Sequence, residues 1–399
     1  MDNLTNTPKK IIYLDQLVIS NITKILDPDF PRREHLLEKQ PFWLELYKKL
    51  DRLLKLQLII CPDSFYHRTE SLLSGDPDFD SLQDVYSHLS NDCTFQDDAM
   101  IMRWQLLHYF RDYMEGHPER EPVIPVSDIV HGDLHEWHDP FRVTVPYRSD
   151  ANEVASLRSR REKLYGAIEE IFKKWQQDST SFKLSVQEEA QALGRAIIEV
   201  FSSYLTKWMA YSLGVETPKS PLEFLPPPAV ILVFDMFNIL VEYKISDPME
   251  QLKKMGEYLR SPHFLRLPFV RLSSMLYAAI ARKAPNMKSP PNRGTTTDVT
   301  VIASVLPYCQ AMFVDNGMAG YLREKQLRDE VARFGTRIFS SKSKAAFLAY
   351  LDEIESTADE RHIRWVKLTY PSKWFDEPFM NIVVYGKRRR EREKQESAI

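Results

Sequence analysis

The chain has 399 residues, 43% of them hydrophobic and 27% charged, which is ordinary for a soluble globular protein and allows one large domain or two. A net charge of −3 leaves no overall basic field, so any surface that binds phosphate must be local. The three cysteines, Cys61, Cys93 and Cys309, are far apart in the sequence, which argues against a disulfide framework or a zinc knuckle.

No segment of the sequence predicts a membrane protein. Residues 1–10 are polar and lack the apolar stretch of a signal peptide. The longest apolar run, Ala229–Val241, contains Asp235 and Asn238 and is shorter than the roughly 20 apolar residues that cross a bilayer. We therefore expect a cytoplasmic protein that has no membrane partner.

The N-terminal part alternates between apolar runs and helical periodicity. The runs Ile11–Leu14 and Leu58–Cys61 have the length and apolar character of buried strands. Between them, apolar residues recur at helical spacing over residues 42–54, and another helix begins after Pro62-Asp63-Ser64. The order strand, helix, strand, helix predicts an α/β fold with a parallel sheet.

The middle of the chain, residues 76–291, is dominated by predicted helices and by loops rich in proline. The α/β pattern then returns, with strands predicted over 311–314 and 336–339 and helices over 299–306, 321–334 and 344–354. The sequence therefore predicts a parallel-sheet core in two parts, residues 1–75 and 292–356, separated by a large all-helical insertion at 76–291. Residues 357–399 form a C-terminal extension.

This extension ends in the basic run Lys387-Arg388-Arg389-Arg390-Glu391-Arg392. Charge runs of this kind are usually solvated or disordered, although they can also bind the phosphates of a nucleic acid. We take a solvated tail as the first interpretation and contact with nucleic acid as the second.

Four acidic residues stand next to the predicted strands and helix starts. Asp15 and Asp315 end apolar runs, Asp298 opens a helix, and Glu70 lies in the helix after the second strand. The carboxyl ends of parallel strands meet at one edge of a sheet, where α/β folds build their sites. Carboxylates that converge there repel one another unless a divalent cation lies among them. The pattern therefore predicts a metal site.

Each of these aspartates also has a simpler structural explanation. Asp15 and Asp298 suit the start of a helix, and Asp315 suits the turn before Asn316-Gly317. For any one residue this explanation is sufficient. The order of all of them along the chain favours the metal site.

Ser64, His67 and Glu70 are spaced by three residues and therefore share one face of a helix. Glu70 on that face can reach the sheet edge, and Ser64 and His67 are candidates to contact a phosphate. A polar helix surface, with Ser64 as the N-cap, is the alternative. Arg293 and Arg323 are further candidates for phosphate contact, for which ordinary surface charge is the simpler explanation.

The order of these motifs resembles that of the PIN-domain nuclease family. The resemblance rests on Tyr13-Leu14-Asp15, on Ser64-x-x-His67-x-x-Glu70, on Asp298 followed by Ile302-Ala303, and on Phe313-Val314-Asp315-Asn316. The segment Leu306-Pro307-Tyr308-Cys309 is similar to one found in large PIN-like proteins with a helical insertion. The resemblance covers residues 1–75 and 292–356 but neither the insertion nor the tail.

The resemblance implies hydrolysis of a phosphodiester, more often in RNA than in DNA, with a carboxylate-bound Mg²⁺ or Mn²⁺ ion as cofactor. The implied catalytic and metal-binding residues are Asp15, Glu70, Asp298 and Asp315, and the implied substrate-binding residues are Ser64, His67, Arg293 and Asn316. Hard oxygen ligands suit both ions, which activate water and stabilise charge on the phosphate.

The chain departs from the family pattern at one place. Many PIN proteins carry another acid shortly after the last aspartate, whereas Asn316, Gly317 and Met318 follow Asp315 here. Two alternatives therefore stand beside a ribonuclease: an inactive binding or scaffold protein on the same fold, and a hydrolase of small phosphate esters. The sequence also leaves open a homo-oligomer or a regulatory partner protein.

Overall fold

The computed structural model describes residues 9–74, 79–134, 137, 162, 166, 168–177, 180–218, 220, 224–292, 294–371 and 373–396. The chain divides into two compact units. We call them the core unit, formed by residues 1–96, 130–166 and 305–399, and the inserted unit, formed by residues 97–129 and 167–304.

The strands are, in chain order, β1 (Lys10–Leu14), β2 (Ile59–Ile60), β3 (Thr94–Phe95), β4 (Val130–His131), β5 (Ala311–Phe313) and β6 (Arg337–Phe339). The helices are α1 (Gln16–Leu26), α2 (Arg33–Lys39), α3 (Phe42–Lys55), α4 (Phe65–Ser74), α5 (Phe79–Ser90), α6 (Asp98–Met114), α7 (168–177), α8 (Phe182–Ser212), α9 (Pro228–Glu242), α10 (Pro248–Arg260), α11 (Pro268–Lys283), α12 (Thr295–Val305), α13 (Asn316–Leu322), α14 (Lys325–Phe334), α15 (Lys344–Ser356), α16 (Glu360–Thr369), α17 (Lys373–Asp376) and α18 (Ile382–Glu396).

A four-stranded parallel sheet in the order β2-β1-β5-β6 lies at the centre of the core unit. β1 pairs with β5 so that Ile12 lies beside Ala311 and Leu14 beside Phe313. These four apolar side chains are buried, because the sheet is covered by helices. The predicted α/β fold with a parallel sheet is confirmed.

Helix α3 illustrates how the helices cover the sheet. Leu46, Leu50 and Leu53 recur at helical spacing and are buried together with Trp43. They belong to one hydrophobic cluster that also contains residues of β1, β5, α1, α5 and α15. An apolar stripe on one side of a helix is the pattern of a core-facing helix, so the predicted periodicity of this segment is confirmed.

The C-terminal extension packs into the core unit. Val383 of α18 is fully buried in the same hydrophobic cluster as the sheet. Lys387 Nζ lies 2.6 Å from Asp27 Oδ1, and Arg390 Nη1 lies 2.6 Å from Asp84 Oδ2. The prediction of a solvated tail is wrong for Lys387 and Arg390, because they pair with acidic side chains after α1 and on α5.

Gly386 allows α18 to pack closely against the side chain of Asp84 on α5. A Cβ atom at this position would lie 1.8 Å from Asp84 Oδ2, so only glycine leaves room for the carboxylate. Asp84 accepts hydrogen bonds from Arg390 at 2.6 Å and from Arg389 at 3.3 Å. Burial raises the pKa of Asp84 above its ordinary value, although both arginines oppose this effect.

A buried polar network holds the segment just before α18. Asp51 lies 2.7 Å from Lys55 Nζ and 2.7 Å from His88 Nε2, and its side chain is 1% exposed. Lys55 also donates to the carbonyl of Glu377 at 2.8 Å. Burial by itself would raise the pKa of Asp51, but the bonds and charges of His88 and Lys55 outweigh it and lower that pKa.

Part of the segment predicted to be all helical contains strands. β3 and β4 pair as a short antiparallel ladder, and both belong to the core unit. Strands of two residues show no alternation of polar and apolar side chains, so their sequence carries no strand signal.

The inserted unit contains helices and no strand among its described residues. Its longest helix, α8, buries Val186, Ile197 and Phe201. A Cβ atom at Gly194 would lie 2.8 Å from the carbonyl oxygen of Leu259, so glycine lets α8 and α10 approach closely. Across the described part of the chain, every helix is too short or too polar to traverse a membrane.

Candidate metal centre

Two carboxylates leave the same edge of the sheet from neighbouring strands. Asp15 directly follows β1, and Asp315 follows β5 after one residue, Val314. The backbone N–H of Asp15 donates to the carbonyl of Phe313 at 2.9 Å, which extends the pairing of β1 with β5 to this edge. The predicted placement of Asp15 and Asp315 at the carboxyl end of the sheet agrees with this geometry.

Both residues also cap helices. Asp15 Oδ1 accepts the N–H of Leu17 at 2.8 Å at the start of α1, and Asp315 Oδ1 accepts the N–H groups of Gly317 and Met318 at the start of α13. The structural explanation of these aspartates is therefore correct. It is compatible with a site, because backbone N–H groups at a helix start stabilise the ionised carboxylates that a cation requires.

Asp298 joins these two residues. It lies in the first turn of α12, the helix that leads through a short turn, Leu306–Tyr308, into β5. One carboxylate oxygen from each of Asp15, Asp298 and Asp315 lies within 4.8 Å of the other two, and all three residues are partly buried. Three of the four predicted metal ligands are thus brought together.

Asp15 lies where a negative charge is unfavourable, chiefly because its carboxylate is buried. Its burial raises the pKa of the carboxyl group, and the charge of Asp315 raises it further. The hydrogen bond from Leu17 and the proximity of His67 act in the opposite direction, but the pKa remains above its ordinary value. A cation among the carboxylates would remove this penalty.

The donor set fits a hard divalent cation. Three carboxylates and no cysteine or histidine favour Mg²⁺ or Mn²⁺ over zinc. Two ligands of one Mg²⁺ ion, each at about 2.1 Å, are at most about 4.2 Å apart. The three oxygens lie within 4.8 Å of one another, which is close to that limit.

Ser64 and His67, the predicted substrate contacts on α4, are both buried at 3% exposure. Ser64 Oγ accepts the N–H of His67 at 3.3 Å, so Ser64 acts as an N-cap of the helix. The imidazole of His67 stacks between the rings of Tyr13 and Tyr86, at centroid distances of 5.2 and 4.8 Å. Because it is buried, little of the imidazole is exposed to solvent.

Asp63, just before α4, is not among the predicted site residues. Its carboxylate is buried, lies 3.4 Å from His67 Nδ1 and forms an ion pair with Arg68 at 2.6 Å. Burial raises the pKa of Asp63, but His67 and Arg68 outweigh this effect and lower it. His67 Nε2 in turn lies 3.1 Å from the hydroxyl of Tyr13, two residues before Asp15.

These contacts, from Arg68 through Asp63 and His67 to Tyr13, hold the carboxyl end of β1 in place. The sequence contained a signal for one of them, because His67 follows Asp63 by four residues, about one helical turn. Such spacing brings an acid and a base together without predicting which way they face.

The remaining predicted residues are described in part. Glu70 lies on α4, but its side chain is outside the described residues, as is the whole of Arg293. Asn316 is exposed at the first position of α13, next to Asp315. Their predicted roles as metal ligand and substrate contacts remain predictions.

No protein-family model, no curated protein and no solved structure matches this chain. The resemblance to PIN-domain nucleases therefore rests only on the residues quoted above.

Proposed function

We propose that the protein is a metal-dependent nuclease that hydrolyses phosphodiester bonds, with RNA as the favoured polymer. The observation that carries this proposal is the group formed by Asp15, Asp298 and Asp315 at the carboxyl edge of a parallel sheet. The preference for RNA comes from the resemblance to PIN-domain nucleases alone.

The roles of the residues follow from their positions. Asp15 and Asp315 are held by backbone N–H groups, so their carboxylates are oriented before a cation or a substrate arrives. When bound among these carboxylates, Mg²⁺ or Mn²⁺ would lower the pKa of water and neutralise charge on the phosphate. A carboxylate oxygen that does not ligate the ion can accept a hydrogen bond from the attacking water and so orient it.

The test uses Asp→Asn substitutions, because asparagine caps a helix as well as aspartate does and removes only the charge. Cleavage of labelled single-stranded RNA and DNA is measured with Mn²⁺ or Mg²⁺ for the wild type, Asp15→Asn and Asp315→Asn. Asp359→Asn is the matched control, since Asp359 caps α16 by accepting the N–H of Arg361 at 2.8 Å.

We expect metal-dependent cleavage by the wild type and by the control, and a loss of at least about 100-fold in the two site variants. Wild-type rates in Asp15→Asn would overturn the assignment of the site. Hydrolysis of small phosphate esters without cleavage of any polymer would favour a phosphohydrolase. A wild-type protein that neither cleaves these substrates nor gains thermal stability from metal would be the inactive binding protein suggested by the lack of an acid just after Asp315.

A further inference from the structure

A serine- and lysine-rich turn lies beside the acidic residues at the same edge of the sheet. We call it the basic turn; it consists of residues 340–344, with the sequence Ser-Ser-Lys-Ser-Lys between β6 and α15. The N–H of Val314 donates to the carbonyl of Phe339 at 3.0 Å, so Asp315 and Ser340 leave neighbouring parallel strands side by side.

The basic turn has a defined shape. The Ser343 hydroxyl accepts the N–H of Ser340 at 2.9 Å, and Ser340 Oγ accepts the N–H of Lys342 at 3.3 Å. Arg323 Nη2 donates to Ser343 Oγ at 3.3 Å. This bond ties a third cation, from the residue that ends α13, to the basic turn.

The cations of this surface lack acidic partners. Among the residues that the structure describes, no carboxylate forms an ion pair with Arg323, Lys342 or Lys344. Elsewhere in the core unit cations are commonly paired with acids, as in Lys49–Asp352, Arg52–Glu355, Arg337–Glu353, Lys387–Asp27 and Arg390–Asp84. Positive charge that has no acidic partner among the described residues is thus present beside Asp315.

Lys344 is held in place without an acid. Its ammonium group lies 4.9 Å from the ring of Phe42 and 4.8 Å from the ring of Trp43. Cation–π contacts of this kind fix the side chain while leaving its charge available to an anion. Burial lowers the pKa of Lys344, and a phosphate beside it would favour the charged form again.

We propose that Arg323, Lys342 and Lys344 bind the phosphates that flank the cleaved bond in a nucleic acid strand. This inference rests on the proposed function, because it takes the acidic residues as the site of cleavage. Three carboxylates repel a polyanion, and cations beside them offset that repulsion. A small ester has only one phosphate, which would lie at the metal site. Additional cations at the sheet edge can therefore contact phosphates only when the substrate is a polymer.

The experiment measures how binding depends on salt. Affinity for a fluorescent single-stranded RNA is determined in EDTA, so that cleavage does not interfere, over about 50–200 mM KCl. The test variant is Arg323→Gln/Lys342→Gln/Lys344→Gln. The control is Arg361→Gln/Arg364→Gln/Lys367→Gln, which removes three exposed cations from α16 and changes the net charge equally.

Each phosphate contact on a single strand contributes about 0.7 to the slope of log affinity against log salt. We therefore expect the slope of the test variant to fall by about 2 and its affinity at 50 mM salt to fall by roughly 10- to 100-fold. The control should keep the wild-type slope. Lys342→Arg/Lys344→Arg should also keep it, which separates loss of charge from damage to the fold.

Catalysis provides the second readout. Hydrolysis of bis(p-nitrophenyl) phosphate, which has a single phosphate, should be unchanged in the test variant, while KM for RNA rises. A wild-type slope in the test variant, or an equal loss of activity on the small ester, would overturn the inference even if the wild type is a nuclease. A reduced slope in a protein that never cleaves RNA would instead support the binding surface and reject the proposed catalytic function.

Discussion

The chain has two basic segments whose cations have different neighbours in the fold. Helix α18 carries more cations, but Lys387, Arg389 and Arg390 are paired with acids of the core unit. The basic turn has only Lys342 and Lys344, joined by Arg323, and no acid pairs with them within the described residues. The density of positive charge in a sequence therefore does not predict a binding surface. A cation is available to a ligand only if the fold provides no carboxylate for it.

The largest effect on stability is expected at the buried network of Asp51, Lys55 and His88 that holds the segment before α18. Asp51→Ala leaves Lys55 buried without its acidic partner, and we expect a loss of about 3–5 kcal/mol in the free energy of unfolding. Urea denaturation followed by circular dichroism measures this loss. Asp352→Ala, at the more exposed ion pair with Lys49, is the control and should cost less than about 1 kcal/mol.

The same network predicts a pH dependence. The folded-state pKa of Asp51 is lowered below its ordinary value of 3.8, so its stabilising effect is complete above that pH. The effect is lost as the pH falls below 3.8 towards the folded-state pKa. The stability difference between the wild type and Asp51→Ala should therefore shrink at the most acidic pH values, and a constant difference would contradict the assigned role of this carboxylate.

The arginines of α18 give the next largest effect. Arg390→Ala removes the closest partner of the buried Asp84, and we expect a loss of about 2–3 kcal/mol without any change in the salt dependence of RNA binding. Arg388→Ala, at an exposed position of the same helix, should change stability by less than about 0.5 kcal/mol. If Arg390→Ala weakens RNA binding while the fold is intact, the tail is a binding surface after all.

Removing a carboxylate of the candidate metal centre should raise the free energy of unfolding instead of lowering it. Asp15→Asn keeps the cap of α1 and removes a carboxylate whose pKa is raised by burial, so the metal-free protein should gain roughly 0.5–2 kcal/mol at pH 7. A raised pKa means that wild-type stability falls as the pH rises above 3.8 through the folded-state value. Asp15→Asn should lack this fall and should lose any thermal stabilisation by Mn²⁺. A lower melting temperature in EDTA would refute the electrostatic argument.

The smallest effect is expected in the basic turn. Lys342 is exposed and has no acidic partner among the described residues, so Lys342→Gln should leave the melting temperature unchanged. The slope of log affinity against log salt should fall by about 0.7. We therefore expect the cations of α18 to affect stability but not RNA binding, and those of the basic turn to affect RNA binding but not stability.

The sequence predicted well what depends on local patterns. Apolar runs ending at Asp15 and Asp315 indicated two strands of one parallel sheet, and the helical spacing of Leu46 and Leu50 indicated a core-facing helix. These predictions hold because burial of a strand or a helix face needs only residues that are close together in the sequence. The placement of the aspartates follows from the strands that carry them.

Predictions failed where partners are far apart in the sequence. Arg390 meets Asp84 across 306 positions, and nothing in a basic run indicates such a pairing. The basic turn was missed for the same reason, since only the pairing of β5 with β6 brings it beside Asp315. Helical spacing likewise does not reveal the stacking of His67 against Tyr13 and Tyr86, which belong to other elements of the fold.

The pairing of β1 with β5 also has a consequence for how the protein is made. Ile11 and Gln310, which meet at the start of these strands, are 299 positions apart. A ribosome that adds about 5–20 residues per second needs roughly 15–60 s to join them. The inserted unit, which ends at residue 304, is therefore fully synthesised before the central sheet can close.

During that interval β1 has an unpaired edge on the side that β5 will occupy. Open strand edges recruit other chains, so the nascent protein depends on chaperones or on rapid folding of the inserted unit to remain soluble. Ribosomes that stall within the insertion would release chains in which β1 can pair with β2 but lacks β5 at its other edge. Quality control of this protein is accordingly expected to act on its N-terminal fragments.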